Sequence, residues 1–362
     1  MREKLLTTVW PAVPTALALV VTTLLLVIVG ANPITTYGAM INGAFGSTAK
    51  VFTTLAFWVP LVLCSAGLLI TFSTGLWNIG VEGQMIMGAI GASWVALKVA
   101  LPNPQLSPWL IIPLEMLAAM LAGGLWAALA GVLKTRGGVH EIFGGVALNN
   151  LAIIATNYLI AGPWQPPEGG SFRGTVPFPS NALLPLFEQT RFSPLSALWA
   201  VLAVIAVGLA LRGTSWGLKL RALGKNLRAS FMLGISSERG MINAMILGGV
   251  LAGMAGAVRT LSWFDSLRQS ISGGIGFLSI LIVLLAGSRP LLVLAIAFLF
   301  SALLNGGTIV QLRTQLHSSL SGIIQGTLVL FVLLFGNYRQ FLQRRKPPEG
   351  GVKHGTEAEA AT

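Results

Sequence analysis

The sequence predicts an all-α protein that crosses a membrane several times. Of its 362 residues, 54% are hydrophobic and only 9% are charged, and its mean hydropathy is +0.79. A soluble domain is typically about one quarter charged, so this composition excludes an ordinary soluble domain. The apolar residues also form long runs of roughly 20 residues, the length with which an α-helix crosses the hydrocarbon core.

These runs predict about ten transmembrane helices in a single domain, residues 1–342. The first run is longer than the apolar core of a secretory signal, so we predict an uncleaved first span. After residue 270, Gly287 and Pro290 interrupt the apolar pattern, so this part forms either separate spans or a hairpin or broken helix. The tail, residues 343–362, is polar and is expected to be disordered. The predicted spans are 9–31, 51–71, 83–101, 110–133, 142–162, 195–211, 241–261, 275–287, 291–305 and 320–335.

Basic residues indicate how these spans are oriented. With the N-terminus in the cytoplasm, most of the 23 Lys and Arg residues fall in cytoplasmic connections, as the positive-inside rule requires. We therefore predict that both termini are cytoplasmic. The net charge of +12 then reflects membrane orientation, and no nucleic-acid partner is expected.

Two predicted connections are longer than simple loops need to be. The outer cap loop, residues 163–193, is rich in proline and aromatic residues, which predicts an ordered segment. It either docks an outer partner or covers helix ends. The cytoplasmic coupling region, residues 212–239, has Leu220, Leu223 and Leu227 at helical spacing with basic residues between them. This pattern predicts an amphipathic helix that rests on anionic lipid or fills a groove in a soluble partner.

Several enzyme classes are disfavoured by missing residues. No G-x-x-x-x-G-K-[ST] loop is present, so the chain has no ATPase site of this kind. The single cysteine, Cys64, excludes an internal disulfide, and three scattered histidines disfavour a metal enzyme. We expect this chain to bind no cofactor of its own. The sole aspartate, Asp265, lies near Arg259 and Arg268 in the sequence, which predicts a surface ion pair.

Residues 71–88 combine polarity with glycine between two predicted spans. They include Asn78, Glu82 and Gln84 together with several glycines. A charged side chain in hydrocarbon costs roughly 3 kcal/mol on insertion scales, so Glu82 marks a functional site unless it clamps a neighbouring helix. The glycines allow a bend or a close helix contact, which predicts a broken or tightly packed element beside a solute path.

A polar stripe is predicted on the span 142–162. Asn149 and Thr156 are seven residues apart, as are Asn150 and Asn157, and seven residues return to nearly the same helix face. Amides donate and accept hydrogen bonds, which suits an uncharged polyhydroxyl or heterocyclic solute better than a metal ion. Interhelical hydrogen bonding is the alternative. The residues predicted to line the solute path are Asn78, Glu82, Gln84, Asn149, Asn150 and Asn157.

Four segments resemble one protein family. Residues 75–84 read G-L-W-N-I-G-V-E-G-Q, which closely resembles the signature of permease subunits of bacterial ABC importers for nucleosides and simple sugars. That group includes ribose and branched-chain amino-acid permeases. Residues 131–142, 220–235 and 248–257 are similar to later segments of the same family and follow in the same order. The resemblance extends, with gaps, over roughly residues 61–335.

The resemblance implies a multi-pass protein of the bacterial plasma (inner) membrane that works within a complex. A separate cytoplasmic ATP-binding subunit would use ATP–Mg, a second permease subunit (same or related) would enclose the path, and an extracytoplasmic solute-binding protein would deliver the solute. Membrane lipid is a further contact. Residues 225–228 read Lys-Asn-Leu-Arg, where family members often have Glu-Asn-Pro-Arg. The residues implied to contact the ATP-binding subunit are Arg221, Leu223, Gly224, Asn226, Leu227, Arg228 and Phe231.

Two other functions compete with an ATP-driven importer. A secondary transporter driven by an ion gradient would need paired titratable groups within the membrane, and the sequence offers Glu82 no obvious partner. An intramembrane enzyme would need a catalytic set of residues that the sequence does not supply.

Overall fold

The computed structural model describes residues 13–167, 174–287 and 289–314 and the short pieces 322–323, 326–327 and 330–331. Over these residues the chain is helical, and its only extended pairing is an isolated bridge between Gly174 and Arg268. The all-α prediction is therefore confirmed. The helices are α1 (Val13–Ile28), α2 (Pro33–Phe45), α3 (Thr48–Ser73), α4 (Val81–Val95), α5 (Pro108–Thr135), α6 (Glu141–Ala161), α7 (Pro194–Gly213), α8 (Ser215–Lys225), α9 (Leu227–Met232), α10 (Ser237–Val258), α11 (Ile275–Ala286) and α12 (Pro290–Thr314).

The chain divides into two compact units. The first contains residues 1–31 and 323–362, and the second contains residues 32–322. Helix α1 is the described helix of the first unit and has 16 residues. The second unit contains α2 to α12 and all the predicted site residues.

Among the described residues, seven helices are long and apolar enough to cross a membrane. They are α3, α5, α6, α7 and α12, together with α4 and α10, which continue as π-helix over Ala96–Ala100 and Arg259–Phe264. Each coincides with a predicted span, so a polytopic membrane protein is confirmed. The predicted span 275–287 is instead α11, whose 12 residues cover only about 18 Å. Helix α2 was not predicted, and most of the predicted span 320–335 and all of the tail lie outside the described residues.

Helix α10 packs closely against α3, α4 and α5 through its glycines. A Cβ added to Gly253 would lie 2.2 Å from the carbonyl oxygen of Ala119 on α5, and one added to Gly256 would lie 2.0 Å from that of Met85 on α4. A Cβ on Gly67 of α3 would similarly lie 2.6 Å from a carbonyl oxygen of α10. Small residues allow such approaches, and dispersion contacts between helices are the main force of association in lipid.

Ion pairs join helix ends on one side of the bundle. Lys134, near the end of α5, lies 2.6 Å from the carboxylate of Glu141, the first residue of α6. The Arg136 Nε donates to Glu238, at the start of α10, over 2.7 Å. The end of α5 and the starts of α6 and α10 therefore lie on the same side, as the predicted alternation of spans requires.

The described part of the cap loop, residues 174–193, is hydrogen-bonded to the segment that follows α10. The Thr175 amide donates to the Leu267 carbonyl over 2.9 Å, and the Phe178 amide donates to the Asp265 carbonyl over 2.8 Å. The predicted ion pair of Asp265 forms with Arg191 of the cap rather than with Arg259. Local sequence spacing could not reveal a partner from a different loop.

We expect Gly253→Ala to destabilise the bundle, because its methyl group meets a carbonyl oxygen and forces α5 and α10 apart. Overpacking of this kind costs about 1–3 kcal/mol. Gly38→Ala is the matched control, since an added Cβ there has no atom within 4 Å. Thermal unfolding in detergent should show a lower Tm for Gly253→Ala only; equal Tm values for the two variants would contradict the tight packing.

Candidate functional site

Helices α3 and α4 are separated by a partly buried, irregular segment, residues 74–80. The chain turns at Gly75, whose φ of +77° favours glycine. Leu76 is buried beside Leu148 and Met245, whereas Trp77 is 45% exposed, so protein encloses only part of the segment. The structure thus contains the broken element that the glycines predicted, and irregular backbone within a membrane protein is tolerated where protein encloses it.

Two of the predicted path residues bind each other. The Asn78 Nδ2 donates to the Gln84 Oε1 over 3.0 Å, and the Gln84 Nε2 donates to the Asn78 Oδ1 over 2.9 Å. Both side chains are buried. The reciprocal amide pair fixes the start of α4 to the segment before it.

The asparagines of α6 have three different environments. Asn149 is buried, accepts from the Gly83 amide over 2.7 Å and donates to the Ile79 carbonyl over 2.9 Å. It therefore satisfies backbone groups on both sides of the start of α4. Asn150 is exposed and donates to the Val146 carbonyl one turn earlier. The third residue of the stripe, Asn157, is half-buried and faces a cavity.

Glu82 binds the start of α11. Its Oε1 accepts from the Gly274 amide over 3.0 Å, and its Oε2 accepts from the Gly276 amide over 2.8 Å. The first amides of a helix have no partner within the helix, and the positive end of its dipole attracts a carboxylate. The side chain, 4% exposed, is thus a clamp between α4 and α11.

Glu82 also lines a cavity of about 340 Å³ between α6 and the start of α11, which we call the solute cavity. Thr156 and Asn157 of α6 and Ser272 and Phe277 on the opposite wall line it as well. Of the six predicted path residues, Glu82 and Asn157 reach this cavity. The arrangement can offer amide and hydroxyl hydrogen bonds beside an aromatic ring.

Arg259 lies close to this cavity and was not predicted as a site residue. It is 4% exposed, and its Nε donates to the Ile271 carbonyl over 3.4 Å. The guanidinium lies 5.3 Å from the ring centres of Phe57 and Trp263, within cation–π range. Its position inside the predicted span 241–261 is the signal in the sequence that could have found it.

The coupling region forms two helices rather than the single predicted one. The chain breaks at Asn226, whose Oδ1 accepts from the Ala229 amide over 3.0 Å and caps α9. Leu223 is buried, whereas Leu227 is 48% exposed. The break explains why these residues, which the helical spacing placed on one face, have opposite environments.

One end of α8 packs directly on the membrane-spanning helices. A Cβ on Gly224 would lie 2.3 Å from the Ser73 carbonyl oxygen at the end of α3. Arg221 lies on the same side of α8, beside a cavity. Leu227 and Arg228 of α9 are exposed, as are Leu218 and Lys219 of α8.

A polytopic helical bundle with a broken helix and a polar cavity is typical of a membrane transport protein. Residues 50–333 match the family described as branched-chain amino acid transport system / permease component. The chain belongs to this permease family. It is a multi-pass protein of the plasma membrane and a transport subunit, and the ATP–Mg of such systems is used by a separate ATP-binding subunit.

Curated relatives match over most of the chain. The guanosine ABC transporter permease protein of Bacillus subtilis is 30% identical over 328 residues, which cover 89% of this chain and 92% of the relative. The glucose ABC transporter permease protein of Haloferax volcanii is 30% identical, with 91% and 88% covered. The nucleoside ABC transporter permease protein of Lactococcus lactis is 28% identical, with 76% and 77% covered.

Paired substitutions on α6 separate structural from path-lining residues. We expect Asn149→Ala to lower the Tm, because each buried backbone group left unpaired costs about 1–3 kcal/mol. Asn157→Ala should keep the Tm and raise the apparent KM for uptake about two- to tenfold, the value of one lost hydrogen bond to solute. Thermal unfolding and uptake are measured on both variants. A lower Tm with unchanged KM for Asn157→Ala would show that this residue is structural.

Proposed function

We propose that the chain forms part of the translocation path of an ABC importer for nucleosides or related neutral solutes such as simple sugars. The observation that carries this proposal is the solute cavity, where the side chains of Thr156, Asn157 and Ser272 face the carboxylate of Glu82. Three relatives are named for guanosine, glucose and nucleosides. These are neutral solutes rich in hydroxyl groups, which the polar side chains of the solute cavity suit.

The charges around the solute cavity favour an uncharged solute. Both oxygens of Glu82 accept backbone hydrogen bonds, so the carboxylate is already bound within the protein. The guanidinium of Arg259 is stacked among aromatic rings, so it is not presented as a partner for a phosphate. The Thr156 hydroxyl already donates to the Ala152 carbonyl over 2.9 Å. The Asn157 amide remains, and an amide binds sugar hydroxyls and base edges equally well.

The segment before α11, residues 265–274, combines strained backbone with a position in the wall of the solute cavity. Asp265 and Ser270 have φ values of +56° and +54°, a conformation that is uncommon for residues other than glycine. Such strain clusters at switch regions. Ser270 and Gly274 also line the solute cavity. We infer that residues 265–274 change conformation when the cavity opens to the outer side.

The surface that fits an ATP-binding subunit is centred on α9. Phe231, Met232 and Leu233 are 74%, 76% and 78% exposed, and Arg228 and Leu227 lie beside them. Large exposed apolar groups next to a basic residue are typical of a contact that another protein covers. Of the residues implied by the family resemblance, Leu227, Arg228 and Phe231 would touch the partner. Arg221, Leu223, Gly224 and Asn226 would hold the two short helices in place.

The remaining assembly follows the family resemblance. We propose about ten spans in one domain, residues 1–342, with both termini in the cytoplasm and the coupling region on the same side. The ordered part of the cap loop, residues 174–193, is a surface for an extracytoplasmic solute-binding protein. Exposed apolar residues on α6, such as Leu151 and Ile154, would contact lipid or a second permease subunit, which is either the same or related.

Uptake by the purified complex tests the function. We expect proteoliposomes that contain the chain with its copurified ATP-binding subunit and solute-binding protein to accumulate labelled guanosine only when ATP is supplied. An ionophore should have no effect, because no ion gradient drives the cycle. Accumulation that survives ATP depletion and collapses with the ionophore would instead establish a secondary transporter.

Substitution of Phe231 tests the α9 surface. We expect Phe231→Ala to weaken capture of the ATP-binding subunit by roughly tenfold, the effect of losing an aromatic anchor worth about 1.4 kcal/mol or more. Leu218→Ala is the control, since Leu218 is an exposed apolar residue of α8 outside the α9 surface. Affinity is measured by titration in detergent. Equal affinities for Phe231→Ala and the unaltered chain would contradict the assignment.

A further inference from the structure

A second cavity lies beside the end of α11 that is remote from the solute cavity. It has a volume of about 550 Å³, and its walls come from the ends of α3, α7 and α11, from the start of α12 and from α8. The two cavities share no lining residue. Neither the solute path nor the α9 surface accounts for it.

The charged side chains that line this cavity are all positive. Arg212, Arg221 and Lys225 line it, and its lining contains no acidic side chain. Arg221 and Lys225 are four residues apart on α8 and therefore lie on the same helix face. In the described part of the chain, neither of them forms an ion pair with a carboxylate. The cavity, which we call the basic cavity, is therefore complementary to an anion.

The position of the basic cavity identifies the kind of anion. Arg212 lies in the last turn of α7, directly after an apolar span, which is the depth of lipid headgroups. The remaining walls are largely apolar and include Leu69, Phe72 and Leu284. A soluble phosphate would need only the basic groups. A ligand that matches both the basic residues and the apolar residues of this cavity has a phosphate joined to hydrocarbon chains.

We propose that the basic cavity binds an anionic phospholipid, with the headgroup phosphate between Arg221, Lys225 and Arg212 and the acyl chains along the apolar walls. Basic pockets between transmembrane helices on the cytoplasmic side bind such headgroups in other membrane proteins. With the orientation proposed above, the lipid comes from the cytoplasmic leaflet. The bound lipid joins α8 to the ends of α3, α7 and α11, and so stiffens the coupling region without touching the solute path.

Lipid binding by the purified full-length chain tests this site. In a neutral detergent, the protein is titrated with phosphatidylglycerol or phosphatidylcholine, and bound lipid is counted by native mass spectrometry. We expect a clear preference for phosphatidylglycerol. The double variant Arg221→Gln with Lys225→Gln should lose about fivefold in affinity for each charge removed and should bind phosphatidylcholine as before.

The control is Lys219→Gln, which removes an exposed charge from the same helix outside the cavity lining. It should bind phosphatidylglycerol like the unaltered chain. If the double variant does not fold, Lys225→Gln alone should lose about fivefold, whereas Arg221→Lys, which keeps the charge, should retain the preference.

Three results would overturn the proposal. The unaltered chain could show no preference between the lipids, or Lys219→Gln could lose as much affinity as the double variant. Inorganic phosphate could also displace phosphatidylglycerol completely, which would make the ligand a soluble anion. Neither solute nor ATP-binding subunit takes part in this experiment, so its failure leaves the proposed transport function untouched.

Discussion

The close packing of α10 against three other helices is the constraint on which the rest of the structure depends. Its glycines bring backbone against backbone, because a Cβ at Gly253 or Gly256 would lie about 2 Å from a carbonyl oxygen of α5 or α4. Between lipid-embedded helices such contacts replace the hydrophobic force that packs soluble domains. They fix the position of α4, and the first turn of α4 carries Glu82.

Glu82 connects α4 to the start of α11 and to the solute cavity. The broken segment before α4 leaves backbone groups without helical partners, and side chains from elsewhere satisfy them. Asn149 pairs with the Gly83 amide, and Glu82 pairs with two amides at the start of α11. The polar side chains of residues 71–88 are also used within the protein, because Asn78 and Gln84 bind each other and Glu82 binds α11. A single carboxylate then serves two roles, since it both anchors α11 and lines the cavity.

The sequence correctly predicted seven spans and the broken element, because both follow from local composition. It could not separate the asparagines of α6: adjacent residues are about 100° apart on a helix, so Asn149 is buried while Asn150 is exposed. The helical spacing of the leucines in the coupling region also hid the break at Asn226, where a side-chain cap ends one helix and starts another. The environment of Arg259 depends on Phe57, some two hundred residues away in the sequence, which no local pattern could reveal.

Helix α11 offers a direct mechanical route between the two cavities. One end is held by Glu82 beside the solute cavity, and the other end lines the basic cavity together with α8. A helix of 12 residues is about 18 Å long. A helix this short can move as one rigid unit. The Gly224 backbone of α8 is in contact with the end of α3, and Ser279 of α11 donates to the Leu61 carbonyl near the middle of α3. We propose that a displacement of α8 by a partner subunit reaches the hydrogen bonds of Glu82 through these contacts. Closely packed helices switch between discrete arrangements more readily than they deform continuously.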